Sequence, residues 1–235
     1  SIKTDTSITG WLNHMKKIIY HGSDHIIKIP EFHGGKPHND YGYGFYCTEI
    51  GDLAKEWALS EEHDGYANCY ELDMDGLRIL NLNHEYSILT WLSILIQNRT
   101  LNLDTPLAAE VSRYLRDNFS VDTTMYDLII GYRADDSYFS FAQDFLSGAI
   151  SYQQLRKAMS LGELGEQIVL VSRRSFSAIR YIGSEKAFRS EWLVKKTERD
   201  RQARAAYLHS DRMRYRRGEL YAVTILDEEI KPNES

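Results

Sequence analysis

The stretch Lys17-Ile-Ile-Tyr-His-Gly-Ser-Asp24 joins a short apolar run to three turn-forming residues. The apolar run predicts a strand that ends at His21, because Gly, Ser and Asp favour turns. The glycine-rich segment of residues 30–44 predicts a loop. A second short strand is predicted at Phe45–Thr48, and a helix over Asp52–Ser60, where apolar residues recur at helical spacing. This end of the chain therefore predicts the order strand, loop, strand, helix.

Similar patterns extend over the rest of the chain. Further strands are predicted at Asn68–Met74, Leu77–Leu82, Gln167–Val171 and Ile179–Ile182, and further helices over Glu85–Asn98, Pro106–Phe119, Phe139–Leu146 and Ser151–Ser160. Asp75-Gly76 predicts a hairpin-type turn between the first two of these strands. Tyr126–Ile130 fits either a strand or a helix end. The absence of strict strand–helix alternation favours the α+β class.

Composition narrows the class of protein. The 235 residues are 43% hydrophobic and 26% charged, which is typical of a globular domain and excludes a disordered or fibrous chain. The net charge of −6 argues against extensive coating of nucleic acid. Two cysteines cannot form a disulfide framework, and no apolar run approaches the length of a membrane span. We expect a cytoplasmic protein with no membrane partner.

The C-terminal segment differs from the rest in charge. Basic side chains recur from Lys195 to Arg217, including Arg212, with few acidic residues between them. The pattern predicts a long polar helix followed by a short strand at Leu220–Leu226. We therefore expect a main domain over residues 1–184 and a basic appendage over residues 185–235. The appendage fits a solvated helix face, an acidic partner or a nucleic-acid substrate, and nothing in its sequence selects among these.

The densest group of unusual residues lies between Tyr20 and Trp57. The run Tyr41-Gly-Tyr-Gly-Phe-Tyr-Cys-Thr48 combines glycines, which allow close backbone approach, with aromatic faces suited to a cleft wall. Tyr46 on a strand and Trp57 on the next helix could sandwich a flat ring. Histidines at positions 21, 25, 33 and 38, together with Asp40, raise the alternative of a metal site. His21 and His25 have the i, i+4 spacing of zinc ligands on a helix, but Gly22-Ser23-Asp24 between them disfavours a helix, so no metal site is predicted.

These motifs carry a family resemblance. Tyr20-His-Gly-Ser23, Gly44-Phe-Tyr-Cys-Thr48, the helix with Trp57 and the strand Glu166-Gln-Ile-Val-Leu170 resemble the successive NAD-binding motifs of ADP-ribosyltransferases with a His–Tyr–Glu triad. The stretch from Tyr126 to Asp136, with Gly165–Ser172, also resembles bacterial ADP-ribosyltransferase-like toxins that are often encoded beside a small antitoxin. The resemblance covers roughly Ile18–Gly183. It implies a split β-sandwich with helical insertions and NAD in the cleft between two small sheets.

The resemblance also implies roles for individual residues. His21 would bond ribose hydroxyls of NAD, and Gly22 would offer its backbone to the nicotinamide carboxamide, where a bulkier residue would block the approach. Ser23 belongs to the same NAD-binding motif. Tyr46 would stack on nicotinamide from one side, and Trp57 would close the other.

The acidic member of the triad is ambiguous in this chain. Glu166 and Gln167 are adjacent, and neighbouring side chains on a strand point to opposite faces, so only one of them enters the cleft. The polymerase-like pattern selects Glu166, whereas the toxin-like pattern selects Gln167, which we favour because that match extends further along the chain. A neutral amide at this position offers less charge stabilisation than a carboxylate, which disfavours polymer synthesis and leaves single transfer or hydrolysis.

The resemblance therefore implies an NAD-dependent mono-ADP-ribosyltransferase, as the toxin of a bacterial toxin–antitoxin pair. NAD would be the substrate, a protein or nucleic acid the acceptor, and an antitoxin the partner. The alternatives are an NAD glycohydrolase and a catalytically silent module that binds NAD or ADP-ribose. A further alternative is a nucleic-acid-binding protein that acts through Lys195–Arg217, for which binding would depend steeply on salt.

Overall fold

Seven strands form one mixed sheet in the computed structural model, which describes residues 15–60, 62–161, 165–209 and 214–232. The strands are β1 (Lys16–Ser23), β2 (Phe45–Thr48), β3 (Gly65–Asp73), β4 (Ile79–Asn81), β5 (Leu128–Gly131), β6 (Gln167–Leu170) and β7 (Ile179–Ala187). Their order across the sheet is β4-β5-β6-β2-β1-β3-β7. All neighbours are antiparallel except β4 and β5, which are parallel.

Helices separate most of the strands, so the α+β class is confirmed. They are α1 (Gly51–Trp57), α2 (Leu82–Glu85), α3 (Ile88–Asn98), α4 (Pro106–Asn118), α5 (Asp136–Leu146), α6 (Tyr152–Met159), α7 (Arg173–Ser177), α8 (Arg189–His209) and α9 (Ala222–Asp227). The predicted cap of α6 is confirmed: the Ser151 hydroxyl accepts the N–H of Gln154, whose side chain returns a bond to the Ser151 backbone. Pro106 occupies the first turn of α4, as predicted.

The centre of the sheet is its weakest junction. β1 pairs with β3 along its whole length, but with β2 only at Tyr20↔Thr48. β2 pairs with β6 from Phe45↔Leu170 to Thr48↔Gln167. The structure differs from the predicted cleft between two small sheets in that hydrogen bonds join all seven strands into one sheet. A single ladder pair nevertheless links the half formed by β4, β5, β6 and β2 to the half formed by β1, β3 and β7, and a cavity lies beside this pair.

The predicted hairpin at Asp75-Gly76 is also wrong. A turn does form there, with Gly76 at a φ of +69°, which favours glycine. However, β4 does not return along β3; it lies at the opposite edge of the sheet, in parallel register with β5. Asp127 explains the placement, because its Oδ2 accepts the Arg78 N–H at 2.8 Å while its own N–H donates to the Arg78 carbonyl at 2.7 Å.

The sheet buries a different core on each face. One face packs Ile19, Cys47 and Ile168 against apolar residues of β3 and β5. The other face, which includes Val169, packs against the helices, and α3 is buried along most of its length. Cys47 thus lies in the core, on the side of β2 opposite to Tyr46, as predicted from strand alternation. No described helix has the length and apolar character needed to cross a membrane.

The C-terminal helix α8 is docked on the sheet domain. Trp192 and Tyr207 are buried, and the Arg199 guanidinium contacts Glu56 of α1 at 2.8 Å and Asp135, the N-cap of α5, at 3.4 Å. The domain boundary predicted between residues 184 and 185 falls inside β7. Arg212 of the basic segment lies outside the described residues.

The strand predicted at Leu220–Leu226 is wrong, because this segment contains helix α9. Its β-branched residues favour a strand in isolation. In the fold, Ala222 and Ile225 are fully buried three positions apart, which is the spacing of one helix face, and they belong to the core that α4 also forms. Tertiary packing therefore overrides the local preference.

Candidate functional site

A cavity of about 590 Å³ lies beside the junction of β1 and β2. This volume is within the range of roughly 300–1,000 Å³ that is common for small-molecule sites. Five predicted site residues, contributed by four separate elements, line it: His21, Gly22, Tyr46, Trp57 and Gln167. Two other predicted site residues, Ser23 and Glu166, do not line it. The sheet and α1 thus bring together side chains that are up to 146 positions apart in the sequence.

His21 is held in a single tautomer. Its Nδ1 lies 2.7 Å from the carbonyl oxygen of Tyr46, which only accepts, so Nδ1 carries the proton. Its ring stacks on Phe45 with centroids 4.1 Å apart. Burial lowers the pKa of His21, so the imidazole is neutral at neutral pH. Nε2 is consequently an acceptor, with no hydrogen-bond partner among the described residues, on a side chain that lines the cavity.

Tyr46 is fixed through its hydroxyl group. The hydroxyl donates to the Gly42 carbonyl at 2.6 Å and accepts the Tyr41 N–H at 3.1 Å. Burial raises the pKa of Tyr46 far above its usual value, so the phenol stays protonated. The side chain therefore supplies an immobilised ring and no charge. The bonds also tie the glycine-rich loop to β2. Within this loop Gly42 has a φ of +76°, a conformation that favours glycine.

Trp57 carries an arginine on one face of its indole ring. The guanidinium carbon of Arg133 lies 3.9 Å from the ring centroid, a cation–π contact. A ligand ring can stack on that face only if the guanidinium leaves it. The indole Nε1 is buried without a hydrogen-bond partner among the described residues. Trp57 thus combines an unpartnered indole N–H with an aromatic ring that lies against Arg133 in the cavity wall.

Gln167 is the first residue of β6, and Glu166, immediately before it, has different surroundings. The Gln167 residue is buried in the cavity wall, and its Oε1 has no partner in the described part of the chain. The Glu166 carboxylate instead accepts a hydrogen bond from Asn83 at 3.2 Å and lies 3.4 Å from His84 Nε2. Strand alternation explains the difference. The cavity therefore receives the amide and not the carboxylate.

The two remaining predicted residues have structural partners. A Cβ at Gly22 would lie 2.1 Å from the Ala54 carbonyl oxygen and 2.8 Å from the Ala58 nitrogen, so close packing of α1 on β1 requires the glycine. This reason differs from the ligand approach that the resemblance implies. Ser23 donates to the His25 carbonyl at 2.6 Å and accepts from Asn68 at 2.8 Å. It fixes the turn after β1.

The charged residues of the cavity wall, among them Asp40 and Arg133, were not predicted as part of this site. Asp40 accepts from Arg99 at 2.6 Å and from the Ala134 N–H at 2.8 Å. Arg133, which follows β5, faces the cavity without any hydrogen bond or ion pair to a described residue. The sequence holds one signal for Arg133: it lies two positions after the buried strand β5, which pairs with the strand of Gln167 at Gly131↔Gln167.

Fold and site together define a mixed α+β protein with a cavity, lined by polar and apolar residues, beside the central junction of one sheet. The chain belongs to a family described as "Protein of unknown function (DUF3990)", which matches residues 17–181. No curated protein and no solved structure matches the chain. The family match includes every cavity residue discussed above and ends within β7, before α8 and α9.

Proposed function

We propose that this chain is an NAD-dependent mono-ADP-ribosyltransferase with an ADP-ribosyltransferase-like fold. It would transfer ADP-ribose from NAD to a protein or nucleic acid and release nicotinamide. The single observation that carries the proposal is the convergence of His21, Tyr46, Trp57 and Gln167 on one cavity. These are the residues for which the family resemblance implies contact with NAD.

The polar atoms of the cavity suit such a substrate. Neutral His21 leaves Nε2 as an acceptor, and Gln167 of the cavity wall has an Oε1 without a partner among the described residues, so the two side chains are candidate acceptors for ribose hydroxyl groups. An acceptor left without a partner in a buried wall costs about 1–3 kcal/mol, which a bound hydroxyl would recover. The immobilised ring of Tyr46 adds flat apolar surface for an aromatic base.

The reaction itself needs little proton transfer from the protein. The bond between the nicotinamide nitrogen and ribose C1′ breaks, and its electron pair leaves with neutral nicotinamide. The acceptor nucleophile then bonds to C1′ and loses its proton to solvent. The protein orients the dinucleotide and stabilises the developing cation with acceptor dipoles. Because the Gln167 amide stabilises this cation less than a carboxylate does, a single transfer fits the site better than polymer synthesis.

Nicotinamide release from NAD by the purified protein tests the proposal. We expect Gln167→Ala to lower the rate by about 100-fold, the usual effect of removing one stabilising group from an active site. Glu166→Ala is the matched control, since its carboxylate bonds Asn83 outside the cavity, and should retain the wild-type rate within about threefold. Absence of nicotinamide release with protein and nucleic-acid acceptors present would refute the enzymatic proposal.

The biological setting follows from the resemblance alone. As the toxin of a toxin–antitoxin pair, the chain would arrest growth of the bacteria that express it, and mass spectrometry would find ADP-ribose attached to a cellular macromolecule. His21→Ala should abolish both effects. Growth arrest that persists in His21→Ala cells would separate toxicity from the cavity.

One observation favours a second candidate, a catalytically silent module that binds NAD or ADP-ribose. Among the described residues of the cavity wall, the carboxylates are Asp40, which is already bonded to Arg99 and to Ala134, and Glu31, which is exposed to solvent. No wall carboxylate therefore replaces Gln167 in the expected triad. Binding of NAD without nicotinamide release supports the module. Release of free ADP-ribose, with none attached to an acceptor, supports the glycohydrolase alternative.

A further inference from the structure

Arg133 is an arginine of the cavity wall that lacks a hydrogen-bonded partner among the described residues. A guanidinium carries five N–H donors. None of those in Arg133 bonds to a described residue, and Nη1 is buried as well as unpartnered. Arg99, the other arginine of the wall, differs because it is bonded to Asp40 at 2.6 Å. Arg199 behind the wall is bonded to Glu56.

Nearby carboxylates do not satisfy Arg133 by direct contact. Asp135 and Glu56 both accept from Arg199, and Asp40 accepts from Arg99. Burial lowers the pKa of Arg133 to about 10, so the group still carries its charge at neutral pH. A buried charge without a hydrogen-bonded partner is costly, which favours a ligand that supplies an anion.

The position of Arg133 is fixed before any ligand arrives. Its guanidinium lies 3.9 Å over the Trp57 ring, and the next residue, Ala134, is held by its N–H bond to Asp40. The contact with Trp57 uses none of the N–H donors of Arg133, and the N–H groups at the edge of a guanidinium bind phosphate oxygens in pairs. An arginine already immobilised in this way loses little side-chain entropy on binding.

We propose that Arg133 is the anion-binding group of the cavity and that it holds the diphosphate of an ADP-ribose-containing ligand. This inference deepens the proposed function and rests on it for the identity of the ligand. Arg133 would bond the phosphate oxygens directly through the N–H groups at the edge of its guanidinium. Trp57 would act as a positioning residue that holds the guanidinium.

Calorimetric titration with ADP-ribose and with adenosine tests the assignment, because only the former carries phosphate. Arg133→Met should weaken ADP-ribose binding by about 10- to 100-fold, the loss expected for one or two hydrogen bonds to a charged group, and should leave adenosine binding unchanged. Lys28→Met is the matched control: Lys28 lines the same cavity, is exposed and forms no bond to a described residue. This variant should bind ADP-ribose within about threefold of wild type.

Further measurements keep the inference falsifiable if Arg133→Met does not fold. Arg133→Lys keeps the charge and loses the paired donors, and we expect intermediate ADP-ribose affinity. Wild-type affinity for ADP-ribose should fall as salt rises, whereas affinity for adenosine should not. Absent ADP-ribose binding by wild type, equal losses for both ligands, or unchanged affinity in Arg133→Lys would overturn the assignment.

The results also separate this inference from the proposed function. Arg133-dependent binding of ADP-ribose without nicotinamide release would uphold the anion site and reject the enzyme. Nicotinamide release with an unchanged KM for NAD in Arg133→Met would uphold the enzyme and reject the anion site.

Discussion

Gly22→Ala places a methyl group where β1 and α1 approach most closely. The new Cβ would lie 2.1 Å from the carbonyl oxygen of Ala54, whereas ordinary contacts begin near 3.4 Å. The obstacle is backbone and cannot rotate away, so α1 must retreat by more than about 1 Å. Overpacking of this kind costs about 1–3 kcal/mol. Because Trp57 ends α1, the same displacement should also disturb the cavity wall.

Urea unfolding followed by far-UV circular dichroism measures this cost. Gly183→Ala is the matched control, since Gly183 also lies in a strand of the sheet and a Cβ there meets nothing within 4 Å. We expect the control to lie within about 0.5 kcal/mol of wild type. Equal free energies of unfolding for the two variants would refute the argument that α1 packing, and not a ligand, requires glycine at position 22.

Three further perturbations probe the fold. Arg199→Met removes the partner of buried Glu56 and should lower the free energy of unfolding by about 3–5 kcal/mol. The control Arg201→Met, on the exposed side of the same helix, should cost at most about 1 kcal/mol. Similar losses for the two variants in chemical denaturation would contradict the docking of α8. Burial lowers the folded-state pKa of His21 below its ordinary value of 6.5, so the unfolded chain binds the proton more tightly, and stability should fall as pH drops below 6.5. The Tm of His21→Gln should therefore depend less on pH than the Tm of the wild type. An identical pH dependence of Tm in the two proteins would count against a buried neutral imidazole. Ser151→Ala removes the N-cap of α6 and should cost about 0.5–2 kcal/mol, visible as a lower Tm.

Local signals in the sequence predicted individual elements well. Pro106 and Ser151 mark helix starts through their own backbone chemistry, and both helices begin where expected. The predicted strand at Gln167–Val171 is confirmed as β6, apart from its last residue. Such features depend on a few neighbouring residues, which is why a single sequence contains them.

The sequence did not show which strands pair with each other or which elements pack together. A turn does form at Gly76. The chain after it, however, runs to the far edge of the sheet, where Arg78 is bonded to Asp127, 49 positions further along the sequence. The helix at Ala222–Asp227 likewise depends on a core to which α4 contributes. Long-range burial outweighs local preference in both cases.

The same limit applies to the candidate site. The glycine and aromatic cluster indicated a cleft, and alternation indicated that Glu166 and Gln167 face opposite sides. Only the structure reveals that Arg133 covers Trp57, because that contact joins elements 76 positions apart. The roles implied for His21 and Gln167 remain predictions.

The continuation of β7 past the family match determines how the protein can be shortened. A chain cut after residue 184 would lose the ladder pairs from Gly65↔Ala187 to Ala67↔Glu185. The first three residues of β3 would then become a bare sheet edge, a template on which other molecules can add as extra strands and precipitate. The same cut would discard the helix that neutralises Glu56. Truncations intended for expression should therefore keep α8.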